Sequence, residues 1–524
     1  MAFLELRIMS FTPPDRFNIA DYFLDDRIRE GLGARIAIRT ANETQDYDAV
    51  AARSNQFANV LADLGVGPGS RVIVALPDVP DFPAALFGIL KTGGQVVMVN
   101  SQLRPEQILQ FYEYVEPDVV IVHKDQALAF GQAQGGPDKE SSFIVVGQGV
   151  DDRALSEAST EFDTVPTRHD DPALWLFSGG TTGQPKGVVQ SHSSFANTTE
   201  CYAKAVLRMN RDDVTLSVPK LYFGYATGTN LLFPFAVGAS TVLFPERCTA
   251  DELFAQIARH RPSILVNVPT MVNHMVSHPS AESQDLSCLR LATSAGEALP
   301  PELHQRWNDV FGAELLDGLG TAEMWHVFIS NRPGQARPGT LGTPVPGFEV
   351  RLCDETGVEV PRGEVGRMRV RGASRAIEYW RHPDLSREAL VDDWYISADM
   401  MTQSEDGFIT YQGRADDLLK VSGKWLSPSE VENCLLEHEI VKEAAVVGVE
   451  TAEGLFKPEA FVVLAEPRAD AAVDLQDLEG RLQAHVKARL EPYKYPRAVH
   501  VLDALPRTHL GKVDRGRLKR GGAS

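Results

Sequence analysis

The sequence predicts an α/β protein, with a large N-terminal domain of two βαβ-type subdomains plus a small β-barrel, then a small α+β C-terminal domain. Three observations predict it. Apolar strand runs alternate with helical segments through the first 125 residues and again from Leu174 to about Val276, the pattern of largely parallel sheets. From Gly339, apolar and polar residues alternate between Gly and Pro turns, the chemistry of antiparallel hairpins in a barrel or sandwich. After Gly413 a charged stretch, RADDLLK, leads into short strands and helices. A chain of 524 residues allows three or four units at about 150 residues each.

Taken in order, RVIVALP from Arg71 to Pro77 is a β-branched run closed by a turn. FPAALFGIL, Phe82 to Leu90, has apolar residues on more than one helical face, so the helix is expected to be buried. QVVMV and DVVIVH are further strands, with a helix from Pro105 to Val115 between them. Residues 130 to 172, rich in Gly, Asp, Ser and Thr, read as an irregular connection. The C-terminal pattern has a helix near Pro428 to Glu437, strands AAVVGV and AFVVL, a helix through LQDLEGRLQAHVKARL and a last strand AVHVL. The boundary falls at Asp416, giving domains 1–415 and 416–524.

Composition excludes several classes. With 43% hydrophobic and 23% charged residues the chain is globular, not disordered or fibrous. A net charge of −20 repels a phosphate backbone, so no nucleic-acid partner is expected. Any phosphorylated ligand then needs local devices: backbone amides, a placed cation or a metal. Five cysteines form no CxxC pair, as suits free thiols in a reducing cytosol. The start, MAFLELRIMSFTPPDRF, carries charges and prolines too early for a signal peptide. The most apolar run, LLFPFAVGASTVLF, is broken by Pro234 and Gly238. A soluble cytoplasmic protein without a membrane partner is expected.

The strongest chemical signal is LWLFSGGTTGQPKGVVQSH, Leu174 to His192. Glycines let a backbone approach polyphosphate, successive N–H groups and hydroxyls donate to it, and Lys186 neutralises outer charge. The candidate binding residues are Ser178, Gly179, Gly180, Thr181, Thr182, Gly183 and Lys186. The spacing around Pro185-Lys186-Gly187 breaks the G-x-x-x-x-G-K-[ST] rule, which excludes a Walker ATPase.

SGGTTGQPKG resembles the phosphate-loop signature of the adenylate-forming superfamily, which comprises acyl- and aryl-CoA synthetases, peptide-synthetase adenylation domains and luciferases. SAGEALP, DGLGTAE, WYISADM, GRADDLLKVSGKW and LPRTHLGKVDRGRL follow in the superfamily's order across nearly the whole chain. PKLYFGYATGTNLLFPFAVGA and GLGTAEMWHVF are most similar to benzoate-type aryl-CoA ligases.

The resemblance implies ATP, Mg²⁺ and coenzyme A, and a role for each motif. Glu323 holds Mg²⁺, Gly296, Glu297 and Asp317 border the adenine, and Gly318 and Thr321 join the ATP/AMP-binding set. Asp399 takes the ribose hydroxyls, with Arg414 nearby. Lys512 bridges the acyl carboxylate and the α-phosphate. Asp416 is the hinge of a mobile C-terminal domain whose rotation brings in the hairpin of Ser422, Gly423 and Lys424, lining a pantetheine tunnel. Lys420 either contacts a phosphate or stays solvated. One departure stands out. Ala322 precedes Glu323 where most members carry Thr, and Thr321 lies one residue earlier. Either one hydrogen bond worth about 1 kcal/mol is lost or Thr321 substitutes for it.

In benzoate-type relatives the segments matching Tyr222, Phe223, Gly224, Tyr225, Gly320, His326 and Val327 enclose a flat ring. Gly224 stands where such relatives commonly carry Ala, which suggests room for a ring substituent. His326 either meets a polar substituent or the carboxylate, or is a satisfied core histidine. The expected function is an ATP-dependent aryl-CoA ligase acting on benzoate or an amino- or hydroxy-benzoate, anthranilate in particular. A carrier protein's phosphopantetheine is the alternative thiol, and a non-catalytic nucleotide-binding protein is the alternative class. A monomer or homodimer is expected.

Overall fold

The computed structural model describes residues 11–133, 142–147, 149–179, 185–415, 419–421, 424–450, 456–465, 475–507 and 513–519. Its described residues divide into two compact units. The first runs to Tyr395 apart from 300–302 and 350–369, and those two segments join Ile396 onward in the second.

The β-branched runs of the first subdomain become the centre of a seven-stranded sheet. Its order is Glu378–Tyr379, Pro185–Ser191, Pro172–Gly179, Gln95–Met98, Arg71–Ala75, Val119–His123, Ser142–Val146. The last five strands are parallel, and Pro185–Ser191 and Glu378–Tyr379 add antiparallel edges. Helix Asp81–Lys91 is buried from Phe82 through Lys91, as its all-round apolarity demands. Helix Pro105–Val115 starts with Pro at its first position and stops at Glu116, whose φ of 49° is left-handed. Ile73, Val97, Val120, Val122, Trp175 and Val189 form the shared core.

A second, nine-stranded sheet follows the same logic. Its parallel core is Leu315–Gly320, Leu291–Ser294, Ile264–Asn267, Val214–Ser217, Ser240–Val242 and Ile36–Arg39. Antiparallel strands finish both ends. Helix Ala250–His260 is capped by Thr249, whose hydroxyl accepts from the Glu252 N–H at 3.2 Å. The segment from Gly339 onward supplies Glu349–Cys353 and Gly366–Arg371 to a five-stranded sheet with Trp394–Gln403, Leu390–Val391 and Ile409–Arg414.

In the second unit Leu419–Val421 pairs antiparallel with Lys424–Leu426. Val441–Glu450, Phe456–Leu464 and Ala498–Val501 form a three-stranded sheet beside helices Pro428–Leu436 and Leu475–Arg489. Each element lies where the sequence places it.

Two expectations need correction. Residues 130 to 172 are not irregular throughout: Ser142–Val146 extends the first sheet and Gly149–Glu157 is helical. SFIVV is a β-branched strand, but polar neighbours hide it in the composition. The glycine-rich segment, which the strand–helix alternation from Leu174 would place before a helix, instead lies between two antiparallel strands. Val188 and Val189 carry the pairing opposite Leu176 and Trp175.

Candidate active site

Ser178 lies opposite Lys186 and Gly179 opposite Pro185, so Lys186 stands on the returning strand of the hairpin. Gly180, Thr181, Thr182 and Gly183 fall outside the described residues. Residues far away in sequence hold the hairpin's root. The Tyr114 hydroxyl accepts from the Gly187 N–H at 3.1 Å and donates to the Trp380 carbonyl at 2.6 Å. The Trp380 N–H returns to the Gly187 carbonyl at 2.8 Å. A Cβ at Gly187 would stand 3.2 Å from the Trp175 ring and 3.4 Å from the Tyr114 ring, so the contact favours glycine. Burial pushes the Tyr114 hydroxyl above its ordinary pKa, which keeps it protonated.

Glu323 is buried in the short turn Ala322–Met324. Its Oε1 accepts from the Tyr379 hydroxyl at 2.8 Å. Burial, then the Glu323 charge, pushes the Tyr379 pKa far up, so that hydroxyl remains a donor. Gln190 donates to the Ala322 carbonyl at 2.7 Å, and Tyr379 pairs with Val188. Lys186 and Glu323 are thus carried on one braced framework.

Immediately after Glu323 the backbone is strained. Trp325 has φ 60° and ψ −51°, and the His326 N–H donates to the Met324 carbonyl at 2.8 Å. This is a γ-turn of the rare positive-φ kind. The buried Trp325 ring, centred 4.4 Å from Phe195 and 5.5 Å from Phe233, holds the turn in place. The turn delivers His326 into a shell of aromatic rings from Tyr202, Tyr225 and Phe233.

His326 is 2% exposed, and burial drives its pKa down to about 3, so the ring is neutral. Its Nε2 lies 3.1 Å from the Tyr225 carbonyl, which only accepts, so Nε2 is assigned the hydrogen. Nδ1 is then a bare acceptor, and it has no partner among the described residues. Glycines make room on two sides. A Cβ on Gly228 would sit 2.4 Å from the His326 ring, and one on Gly320 would sit 2.6 Å from the His326 carbonyl. Gly320 pairs with Val327 at a register shift, a bulge beside the site.

Tyr225 is turned inward, its hydroxyl donating to Thr293 Oγ1 at 2.6 Å. The Tyr222 and Phe223 rings lie 4.3 Å apart, and Phe223 is partly exposed. At Gly224 a Cβ would meet Leu176 carbons at 3.0 and 3.1 Å. The space in that direction therefore already belongs to Leu176.

Just after strand Leu291–Ser294, Glu297 Oε2 accepts from the N–H of Thr270, in helix Pro269–Val276, at 3.2 Å and from its hydroxyl at 2.7 Å. Gly296 has φ +90°. Asp317 is buried, and burial pushes its carboxyl well above the usual range. Asp317 Oδ1 and Thr321 Oγ1 have no partner among the described residues, and buried polar atoms rarely stay unmatched. Gly318 continues the strand from Asp317.

In the second unit Asp399 pairs in register with Arg414, their charged groups 3.8 Å apart. The Ser397 hydroxyl donates to Asp399 Oδ2 at 2.5 Å, and its oxygen accepts from the Asp399 N–H at 3.0 Å. Lys420 and Lys424 fall on the paired strands 419–421 and 424–426, and their side chains are not described. Asp416, Ser422, Gly423 and Lys512 lie outside the described residues. Sequence reasoning missed Tyr114, Gln190, Thr270, Tyr379, Trp380 and Ser397. Gln190 and Ser397 sit inside quoted motifs and were findable, whereas the others carry no local signal.

Residues 26–380 match the AMP-binding enzyme family and residues 430–512 its C-terminal domain family. The chain is 40% identical over 515 residues to the benzoate–CoA ligase of Thauera aromatica, covering 97% of this chain and 96% of that one. The crystal structure of a benzoate CoA ligase from Burkholderia xenovorans LB400 superposes with a TM-score of 0.88 at 37% identity, over 96% of this chain and all of that one. That of the anthranilate CoA ligase AuaEII in complex with anthranoyl-AMP gives a TM-score of 0.91 at 32% identity, over 97% and 98%. These likenesses extend over nearly the whole length, and the chain belongs to the family of AMP-binding enzymes.

Proposed function

We propose that the protein is an ATP-dependent, AMP-forming aryl-CoA ligase. The observation that carries the reading is the 40% identity to a benzoate–CoA ligase, sustained over 97% of the chain. The local geometry supports it. A neutral His326 among aromatic rings suits a flat, mainly apolar acid.

In the first half-reaction a carboxylate oxygen bonds to the α-phosphorus of ATP and the bond to pyrophosphate breaks. In the second, the CoA thiolate bonds to the acyl carbon, the acyl–oxygen bond breaks and AMP leaves. Ser178, Lys186 and the hairpin glycines and threonines hold the outer phosphates. Glu323 offers a buried carboxylate, the hard oxygen ligand that Mg²⁺ prefers, and would hold that ion, whose chemistry is to screen phosphate charge. Asp317 Oδ1 is an unmatched acceptor for an adenine amino group, beside Gly296, Glu297 and Gly318. The unmatched hydroxyl of Thr321 is free to reach a phosphate in place of the Thr missing at Ala322. Asp399 and Arg414 are assigned the ribose. Lys512 brings its cation to the acyl carboxylate and α-phosphate. Domains 1–415 and 416–524 are assigned to alternate about Asp416, with Lys420, Ser422, Gly423 and Lys424 assigned to the thiol path.

Tyr222, Phe223, Gly224, Tyr225, Gly320, His326 and Val327 are assigned to the acid. The bare Nδ1 of His326 suits a donor, so an amino- or hydroxy-benzoate, anthranilate among them, is the narrower reading. No described helix is long and apolar enough to cross a membrane. A cytoplasmic monomer or homodimer acting on free CoA fits this account, and a carrier protein offers the same thiol arm. The test is a panel of aryl and aliphatic acids scored by ATP- and CoA-dependent AMP release. Benzoate-type acids are expected to lead, and preference for an aliphatic acid would refute the reading.

A further inference from the structure

Leu221 opens the segment that carries Tyr222 and Phe223, and its N–H is held from far away in the chain. It donates to Asp78 Oδ1 at 2.9 Å, across 143 residues. Asp78 follows strand Arg71–Ala75 and is 3% exposed. Other ties close around the same turn. The Phe223 N–H donates to the Lys220 carbonyl at 2.9 Å, and the Thr227 hydroxyl donates to the Leu221 carbonyl at 2.6 Å. Lys220 Nζ donates to the Phe244 carbonyl at 2.6 Å and lies 3.6 Å from that ring's centroid. Asp78 supplies the carboxylate tie, and the Lys220 charge acts on it without a direct ion pair, since Lys220 Nζ is engaged by the Phe244 carbonyl.

We propose that Asp78, balanced by Lys220, is a positioning residue for the acid pocket, fixing the turn 220–223 and with it Tyr222 and Phe223. The inference rests on assigning that segment to the aryl acid. A buried carboxylate is retained only where it is matched by donors and an opposite charge, and here both come from the turn itself. Replacing the carboxylate takes away the charge that acts on half-buried Lys220 and weakens the tie to the Leu221 N–H, so the turn loses its register. Burial pushes the Asp78 carboxyl up to about 6, against the pull of Lys220 and the Leu221 N–H. Lys220 is pushed down by burial and feels Asp78, Cys248, Glu246 and Glu252. Burial holds the Tyr222 and Cys248 pKa values up at about 12, so both stay neutral near pH 6. Glu246 and Glu252 are common to every variant below.

The experiment measures KM for benzoate and for ATP separately, from pH 5 to 8, in the full-length protein and in Asp78→Asn. In the wild type the benzoate KM should rise several-fold as pH falls through about 6, while the ATP KM does not follow it. Asp78→Asn keeps an acceptor for Leu221 but not the charge. It should raise the benzoate KM about tenfold at pH 7.5, leave the ATP KM within about twofold, and abolish the acid limb, since a tenfold change corresponds to one factor of ten in binding. Equal rises in both KM values would overturn the proposal by showing a general structural role, and an unchanged benzoate KM would overturn it outright. Should Asp78→Asn fail to fold, Lys220→Met must give the same split, and a wild-type benzoate KM flat across pH 6 overturns the proposal without any variant. Failure of the aryl reading shows separately, as wild-type protein releasing no AMP with any aryl acid.

Discussion

The Tyr114 hydroxyl accepts the backbone N–H of Gly187 at 3.1 Å, one residue beyond Lys186. A helix of the first subdomain thereby fixes the strand that presents the proposed phosphate lysine. Tyr114→Phe leaves that N–H without its acceptor and frees the Trp380 carbonyl. An unmatched buried group costs about 1–3 kcal/mol. The expected outcome is an ATP KM raised about tenfold with the benzoate KM little changed. An unchanged ATP KM would show that the hairpin holds its place without this tie.

Gly224 borders the segment assigned to the acid, and its neighbour Leu176 sets the terms of a test. Gly224→Ala pushes a methyl against the Leu176 side chain, and one methyl of misfit in an enclosed pocket costs about 10- to 200-fold in kcat/KM. 2-Aminobenzoate should lose more than benzoate, and Leu176→Val in the same chain should recover most of the loss. A uniform loss across acids, unrelieved by Leu176→Val, would mean that Gly224 serves the backbone alone.

His192 tests the electrostatics away from the proposed chemistry. It is fully buried, accepts the Ile19 N–H at 3.2 Å through Nδ1, and burial lowers its pKa from 6.5 to about 3. Between those values the unfolded chain binds the proton and the folded chain does not. Stability is therefore lost as pH falls below about 6.5, by about 1.4 kcal/mol per pH unit. Relative to His192→Gln, the wild type should lose about 2 kcal/mol of unfolding free energy between pH 7 and pH 5. A gap between the two that is constant with pH would contradict the burial argument.

Much of the fold was legible because strand and helix periodicities are local. RVIVA, QVVM and VVIVH announce parallel strands by β-branching alone, and FPAALFGIL announces a buried helix by having no polar face. The strand Ser142–Val146 was hidden because a short edge strand is outweighed by its polar flanks. The motif residues of the site were legible for the same local reason. Their supports were not: Tyr114, Thr270 and Tyr379 act through contacts made by chain crossings that no periodicity records. The strained turn at Trp325 was equally invisible, since packing from Phe195 and Phe233 holds a backbone that a tryptophan does not favour.

Lys512 tests the alternation. Lys512→Ala should slow aryl-adenylate formation by 10²–10³, the effect of about 3–4 kcal/mol from one placed charge. Thioester formation from supplied aryl-adenylate should be largely spared. Equal losses in both halves would contradict a residue that serves the first half-reaction alone.

The proposed function requires that one chain make an aryl-adenylate and then hand the acyl group to CoA. The most direct measurement mixes the protein with benzoate and ATP without CoA, identifies the products by mass spectrometry, and then adds CoA. Enzyme-bound benzoyl-adenylate is expected in about stoichiometric amount with pyrophosphate released, converted to benzoyl-CoA and AMP when CoA arrives. Benzoyl-CoA formed without a preceding adenylate, or an adenylate that CoA leaves untouched, would contradict it.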